Sequence, residues 1–143
     1  MLLHWNDSYQ TGHAAIDNQH RSIINAMNQI HAAVEAGKII EEMPAILEFL
    51  DNYVHKHFHF EENCAERYHC PNALKNKEAH REFEIRVREI REQYENKPFT
   101  RPEALDVYYE MIAWIKNHIL SVDVPNFHCV RKNFDTESDT PSE

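Results

Sequence analysis

Four stretches of this sequence place apolar residues at alternating steps of three and four, the period of a helix with one buried face. The first carries Ile16, His20, Ile23, Met27, Ile30 and Val34. The second carries Met43, Leu47, Leu50, Val54, His57, Glu61 and Cys64. The third carries Ala73, Asn76, His80, Phe83, Val87, Ile90 and Tyr94, and the fourth Ala104, Val107, Met111, Trp114 and His118, with Val122 and Asp123 at its end. Each stripe is an ordinary core seam broken by one or more polar residues. Only two glycines, Gly12 and Gly37, occur in 143 residues, too few for the turns of an all-β domain, a P-loop or a dinucleotide-binding turn.

Punctuation divides the stripes into helices. Residues 1 to about 15 read as an irregular arm with Trp5 and Tyr9. Asp17 is a candidate N-cap for a first helix running to Ala36, with Gly37 as its stop. Pro44 suits the first turn of a second helix reaching about Tyr68. Pro71 opens a third, to about Glu95, and residues 96–99 form a loop. Thr100 caps a fourth with Pro102 in its first turn, ending near Ser121 before Pro125. Helices of ~20 residues are ~30 Å long, and short connections between them predict an all-α, antiparallel, up-and-down four-helix bundle. One domain over residues 1–134 is expected. The acidic stretch 135–143 has too little apolar surface to fold and reads as a disordered tail or the start of a linker.

Composition narrows the partners. With 15 Lys and Arg against 24 Asp and Glu, the net charge is −9, which argues against nucleic acid or an anionic membrane surface. No apolar run approaches the ~20 residues of a membrane span, and the N-terminus lacks the basic head of a signal peptide, so a cytoplasmic location is expected. Cys64, Cys70 and Cys129 are odd in number and never spaced CxxC, which indicates neither a disulfide framework nor a zinc ribbon; they read as buried thiols. Histidine is the anomaly, 11 residues against seven lysines.

In an up-and-down bundle, His20 lies early in its helix, His57 and Glu61 late, Asn76 and His80 early, His118 and Asp123 late. All seven side chains can therefore meet near one end of the interior. Buried carboxylates are costly unless paired or bound to a cation, and no Lys or Arg lies on these stripes. His57 and Glu61, like Asn76 and His80, are spaced i, i+4 and project from one helix face. The donors exceed what one tetrahedral zinc uses. Six nitrogen and oxygen donors suit two octahedral-type ions bridged by Glu61 and Asp123, a pattern typical of non-haem iron. His4, His13, His31, His55, His59, His69 and His128 fall off that level and read as surface residues or as supports of the site. Phe83 and Trp114 read as packing that keeps the site dry. Ile23 and Ile24 could line a small-ligand pocket or be ordinary core.

From Trp5 to about Phe134 the sequence resembles the hemerythrin family, in particular bacterial hemerythrin-like domains. The resemblance rests on a lone His20 in Ile16-Asp17-Asn18-Gln19-His20, on His57-Phe58-His59-Phe60-Glu61-Glu62, on His80 with Phe83, and on Trp114-Ile115-Lys116-Asn117-His118 followed by Asp123. It implies a non-haem di-iron centre that binds O2 reversibly. His20 and His57 would hold the iron that takes O2, His80 and His118 the other. Glu61 and Asp123 would bridge both, with a solvent-derived oxo or hydroxo group as the third bridge. One position departs: the family's HxxxH on the third helix has its first histidine where this chain has Asn76. A water or small anion is expected in the missing ligand's place, leaving an exchangeable position on each metal. Such a centre oxidises readily and takes up small anions, traits that suit a sensor better than an oxygen store.

The resemblance thus implies an O2- or redox-responsive, non-enzymatic sensor module, of the kind found fused to signalling outputs such as diguanylate cyclases and chemotaxis receptors. A stand-alone oxygen carrier is the alternative reading. A di-iron oxidase or a peroxide or nitric oxide scavenger is a third.

Overall fold

The computed structural model describes residues 3–127, and the expected tail lies outside them. A 3-10 turn, Asp7–Tyr9, precedes four helices: α1 (Ala14–Glu35), α2 (Ile39–Arg67), α3 (Ala73–Asn96) and α4 (Arg101–His118). A π-helical segment, Ile119–Asp123, prolongs α4, and one more helical turn covers residues 124–127. Connections of only a few residues reverse the chain each time, which makes the architecture the expected four-helix bundle. No strand occurs among the described residues.

The seams pack as their period demands. Ile16, Ile23, Met27, Met43, Leu47, Leu50, Val54, Phe83, Val87, Ile90 and Met111 are all buried. At ~1.5–3 kcal/mol for each buried large aliphatic side chain, these seams supply the main force holding the helices together. Ile23 and Ile24 belong to this core, as the plainer of the two readings has it. On the surface, Arg86 of α3 donates from Nε and Nη2 to the carboxylate of Glu110 on α4, at 2.7 and 2.9 Å.

The N-terminal arm is docked along the bundle. Asn28 of α1 accepts from Leu3 N at 2.9 Å and donates to Leu3 O at 2.8 Å. The Arg21 guanidinium lies 4.5 Å above the Trp5 ring, which stacks on Tyr9.

Helix ends differ from the sequence expectation in four places. Asp17 does not cap α1; His13 does, accepting from Ile16 N through Nδ1. Asp17 is buried in the first turn, where its carboxylate accepts from Thr11 N (2.9 Å) and Thr11 Oγ1 (2.7 Å) and meets the helix's positive end. α2 begins at Ile39, so Pro44 lies inside it. Ile39 and Met43 are fully buried, and the apolar area of that extra turn offsets the missing proline N–H. α3 begins at Ala73, two residues after Pro71. The fourth helical run passes Ser121 and Pro125, because the wide π turns loosen the backbone just ahead of the proline.

Two ends match expectation closely. Thr100 and Glu103 form a reciprocal capping box at α4, with Pro102 in the first turn. Gly37 ends α1 at φ 74°, with Gly37 N bonded to Val34 O and Lys38 N to Ala33 O, a Schellman motif.

Candidate metal centre

Each helix contributes to one buried cluster because the seams that pack the bundle also carry the donors. His20 of α1 stands one turn above Ile16. On α2, His57 and Glu61 occupy successive turns. His80 lies on α3, His118 at the end of α4, and Asp123 at the end of the π segment. A five-residue step in an α-helix ends about 140° from its starting face. The wider π turns bring Asp123 back beside His118, and their Oδ1 and Nε2 lie 3.2 Å apart.

All six side chains are buried and converge. His20 Nε2 lies 2.6 Å from Glu61 Oε2 and 3.2 Å from Asp123 Oδ2. His57 Nε2 is 2.9 Å from Glu61 Oε2, and His80 Nε2 is 3.2 Å from Glu61 Oε1. The Nε2 atoms of His80 and His118 face each other at 3.0 Å. His20, His57, Glu61 and Asp123 each offer a donor atom within 4.8 Å of all the others, and so do Glu61, His80, His118 and Asp123. Two donor sets therefore share the same two carboxylates.

Aromatic rings wall one half of the cluster. Phe58 stacks on His80 with centroids 3.8 Å apart and an interplanar angle of 1°. Trp114 stacks on His118 at 4.4 Å and on Phe83 at 4.2 Å.

Comparison with known proteins bears on this arrangement. The family model for the hemerythrin HHE cation binding domain matches residues 11–123. The chain belongs to the hemerythrin family. It is 31% identical over 129 residues to the bacteriohemerythrin of Pseudomonas aeruginosa PAO1, covering 90% of this chain and 82% of that one. The bacteriohemerythrin of Pseudomonas paraeruginosa PA7 is equally similar, and that of Stenotrophomonas maltophilia R551-3 is 31% identical over 85% of this chain and 77% of its own.

The donor set of this hemerythrin domain suits a pair of cations on its own chemistry. Glu61 is wholly buried, and the oxygens of Glu61 and Asp123 are met by imidazole nitrogens at 2.6–3.2 Å. Two carboxylates in that position need positive charge. In the metal-free state protons supply it. Burial alone would lower the His20 pKa, but Asp123 and Glu61 overcome burial and raise it to about 10. His80 is raised to about 9, where Glu61 and Glu62 outweigh burial. Burial opposes ionisation of Glu61, yet His57, His20 and His80 hold its pKa well below the ordinary carboxylate value. Cations that displace these protons would meet four neutral imidazoles and two shared carboxylates.

Three features of the hemerythrin site were not foreseen. His57 Nδ1 donates to Gln19 Oε1 at 2.6 Å, and His80 Nδ1 donates to Glu62 Oε2 at 2.9 Å. Gln19 and Glu62 each sit next in sequence to a donor, so they point off that donor's face and reach a neighbouring helix instead. The third is Asn126. It is buried one turn past Asp123, and neither atom of its amide has a hydrogen-bond partner.

Asn76 is fully buried one turn before His80, and its Oδ1 and Nδ2 also lack partners. Of the other histidines, His4, His55, His59 and His69 are exposed, while His13 and His31 are partly buried. Cys64 and Cys70 pack with Tyr68 and Phe127 below the cluster. His128 and Cys129 lie outside the described residues.

Proposed function

We propose that this domain binds O2 at a pair of iron ions and acts as an oxygen- or redox-responsive sensor module. One observation carries the reading: two buried donor sets, each with two imidazoles, share the carboxylates of Glu61 and Asp123. His20 and His57 would hold one ion, His80 and His118 the other. Iron bound there supplies reversible O2 coordination and a change of oxidation state.

The residues of the chain do the rest. Hydrogen bonds from His57 and His80 Nδ1 keep those protons away from the cluster and leave each Nε2 bare for coordination. Burial of His20, Glu61 and Asn76, with Phe58, Phe83 and Trp114 alongside, excludes bulk water from the centre. The partnerless amide of Asn76 favours a small exchangeable ligand, water or an anion, at the position it faces.

An exchangeable position on both ions favours a sensor over a carrier, since it eases irreversible oxidation. A sensor needs two states with different contacts. The segment 119–127 is suited to report them, because it holds Asp123 and begins where α4 ends. A downstream signalling partner, covalently fused or separate, would receive that change. No enzymatic role is assigned to this domain. Among the described residues no helix is long and apolar enough to cross a membrane.

The test is metal analysis with visible spectra of the reduced protein before and after exposure to air. Two irons per chain and new charge-transfer bands are expected. A chain that takes up no iron, or whose spectrum ignores air, would overturn the reading. For the sensing role, amide exchange in residues 119–127 should differ between the reduced and oxidised forms. Identical exchange would leave the carrier reading in its place.

A further inference from the structure

Counted in imidazoles and carboxylates, the two halves of the centre are equal: two imidazoles each, plus the shared carboxylates. They differ in what stands behind the imidazoles. In one half, His57 Nδ1 donates to the neutral amide oxygen of Gln19, and His20 Nδ1 is buried with no hydrogen-bond partner. In the other half, His80 Nδ1 donates to the carboxylate of Glu62, itself mostly buried. A carboxylate accepts more strongly than an amide and draws the imidazole proton toward itself. That raises electron density on the opposite ring nitrogen and strengthens it as a ligand. It also fixes the ring's orientation, and the Phe58 ring stacked on His80 does the same from one face.

Building on the two-ion reading above, we propose that Glu62 is a positioning residue that makes the two half-sites unequal. The His80–His118 half then fills first and holds its metal more tightly. Gln19 keeps the His20–His57 half weaker. The same asymmetry places the preference for the higher oxidation state on the His80–His118 ion, because a more basic ligand stabilises the more charged metal.

The experiment titrates the chelator-stripped full chain with cobalt(II). Calorimetry resolves the binding steps, and the visible d–d bands report the coordination of each ion. The unaltered chain should bind two ions in two separated steps. Glu62→Gln should weaken the tighter step by about 10–100-fold, the usual cost of losing an outer hydrogen-bond partner, and leave the weaker step in place. Gln19→Glu should strengthen the weaker step and narrow the gap. This variant adds the carboxylate where the amide was, so it decides the matter even if Glu62→Gln folds poorly. Two steps that neither variant shifts, or that Glu62→Gln weakens equally, would overturn the asymmetry while the two-ion reading survives. A chain that binds no cobalt at all would overturn both.

Discussion

In the proposed reading, Asn76 is the residue on which ligand access to the centre turns. It is fully buried, its amide makes no hydrogen bond, and a partnerless buried amide costs ~1–3 kcal/mol. Such a cost persists where a small exogenous group can be hydrogen-bonded. An imidazole at this position would fill the place instead. Asn76→His, loaded with iron, should bind azide about ten-fold more weakly, equivalent to about 1.4 kcal/mol, and should autoxidise more slowly. Azide titration by absorbance and the decay of the oxygenated spectrum measure both. Equal values for the two proteins would show that position 76 does not control ligand access. Asn126, equally buried and one turn beyond Asp123, marks the same end of the centre as polar. Its helical position gave no hint of this, because the sequence pattern predicts the fourth helix to have ended by then.

At the level of elements, the two Schellman motifs make a controlled comparison. α1 ends on Gly37 at φ 74°; α2 ends on His69 at φ 54°, with His69 N bonded to Glu66 O and Cys70 N to Ala65 O. A side chain in this left-handed region costs ~1–2 kcal/mol, which glycine avoids. His69→Gly should therefore stabilise the fold by about 1 kcal/mol, net of the extra freedom glycine gains in the unfolded chain. Gly37→Ala should destabilise it by a similar amount. Urea unfolding at equilibrium reads both, and changes of the opposite signs would refute the backbone argument. His69 is exposed and outside both donor sets, so metal content should stay the same. The π segment shows the complementary case, in which an irregular element serves the site. Without its wider turns, Asp123 would leave the face that His118 occupies.

For the whole molecule, folding and metal binding are linked through the same buried charges. In the chelator-stripped protein, His20 and His80 are raised to about 10 and 9 from an ordinary value of 6.5. Their protonation stabilises the fold fully below about pH 6.5, and that contribution is lost as pH rises through 9 to 10. Glu61, held low, contributes above its ordinary value of 4.5, and that share disappears as acid protonates it. The stripped protein should therefore lose stability from neutral pH toward pH 10, and bound metal, which replaces the protons, should flatten that decline. Urea midpoints across pH 6–10 with and without metal test this; parallel curves would contradict it. Under acid conditions the protons win the competition, so metal should dissociate.

What was legible from sequence was whatever depends on local periodicity and on single strong punctuators. A 3.6-residue repeat puts a residue on the buried face whatever the helix packs against. The four seams and the places of His20, His57, Glu61, His80 and His118 on their buried faces were therefore readable, as were the ends at Gly37 and Thr100, whereas Asp123 lies off the period of the fourth seam. What only the tertiary structure decided involves distances between helices. The sorting of the donors into two sets sharing both carboxylates is of this kind, as are the hydrogen bonds of Gln19 and Glu62 and the π turns that aim Asp123. Asp17 shows the limit in a single residue. Its type suits a cap, but Thr11, six positions earlier, folds back to claim its carboxylate, and a helix propensity carries no information about where a preceding loop will lie.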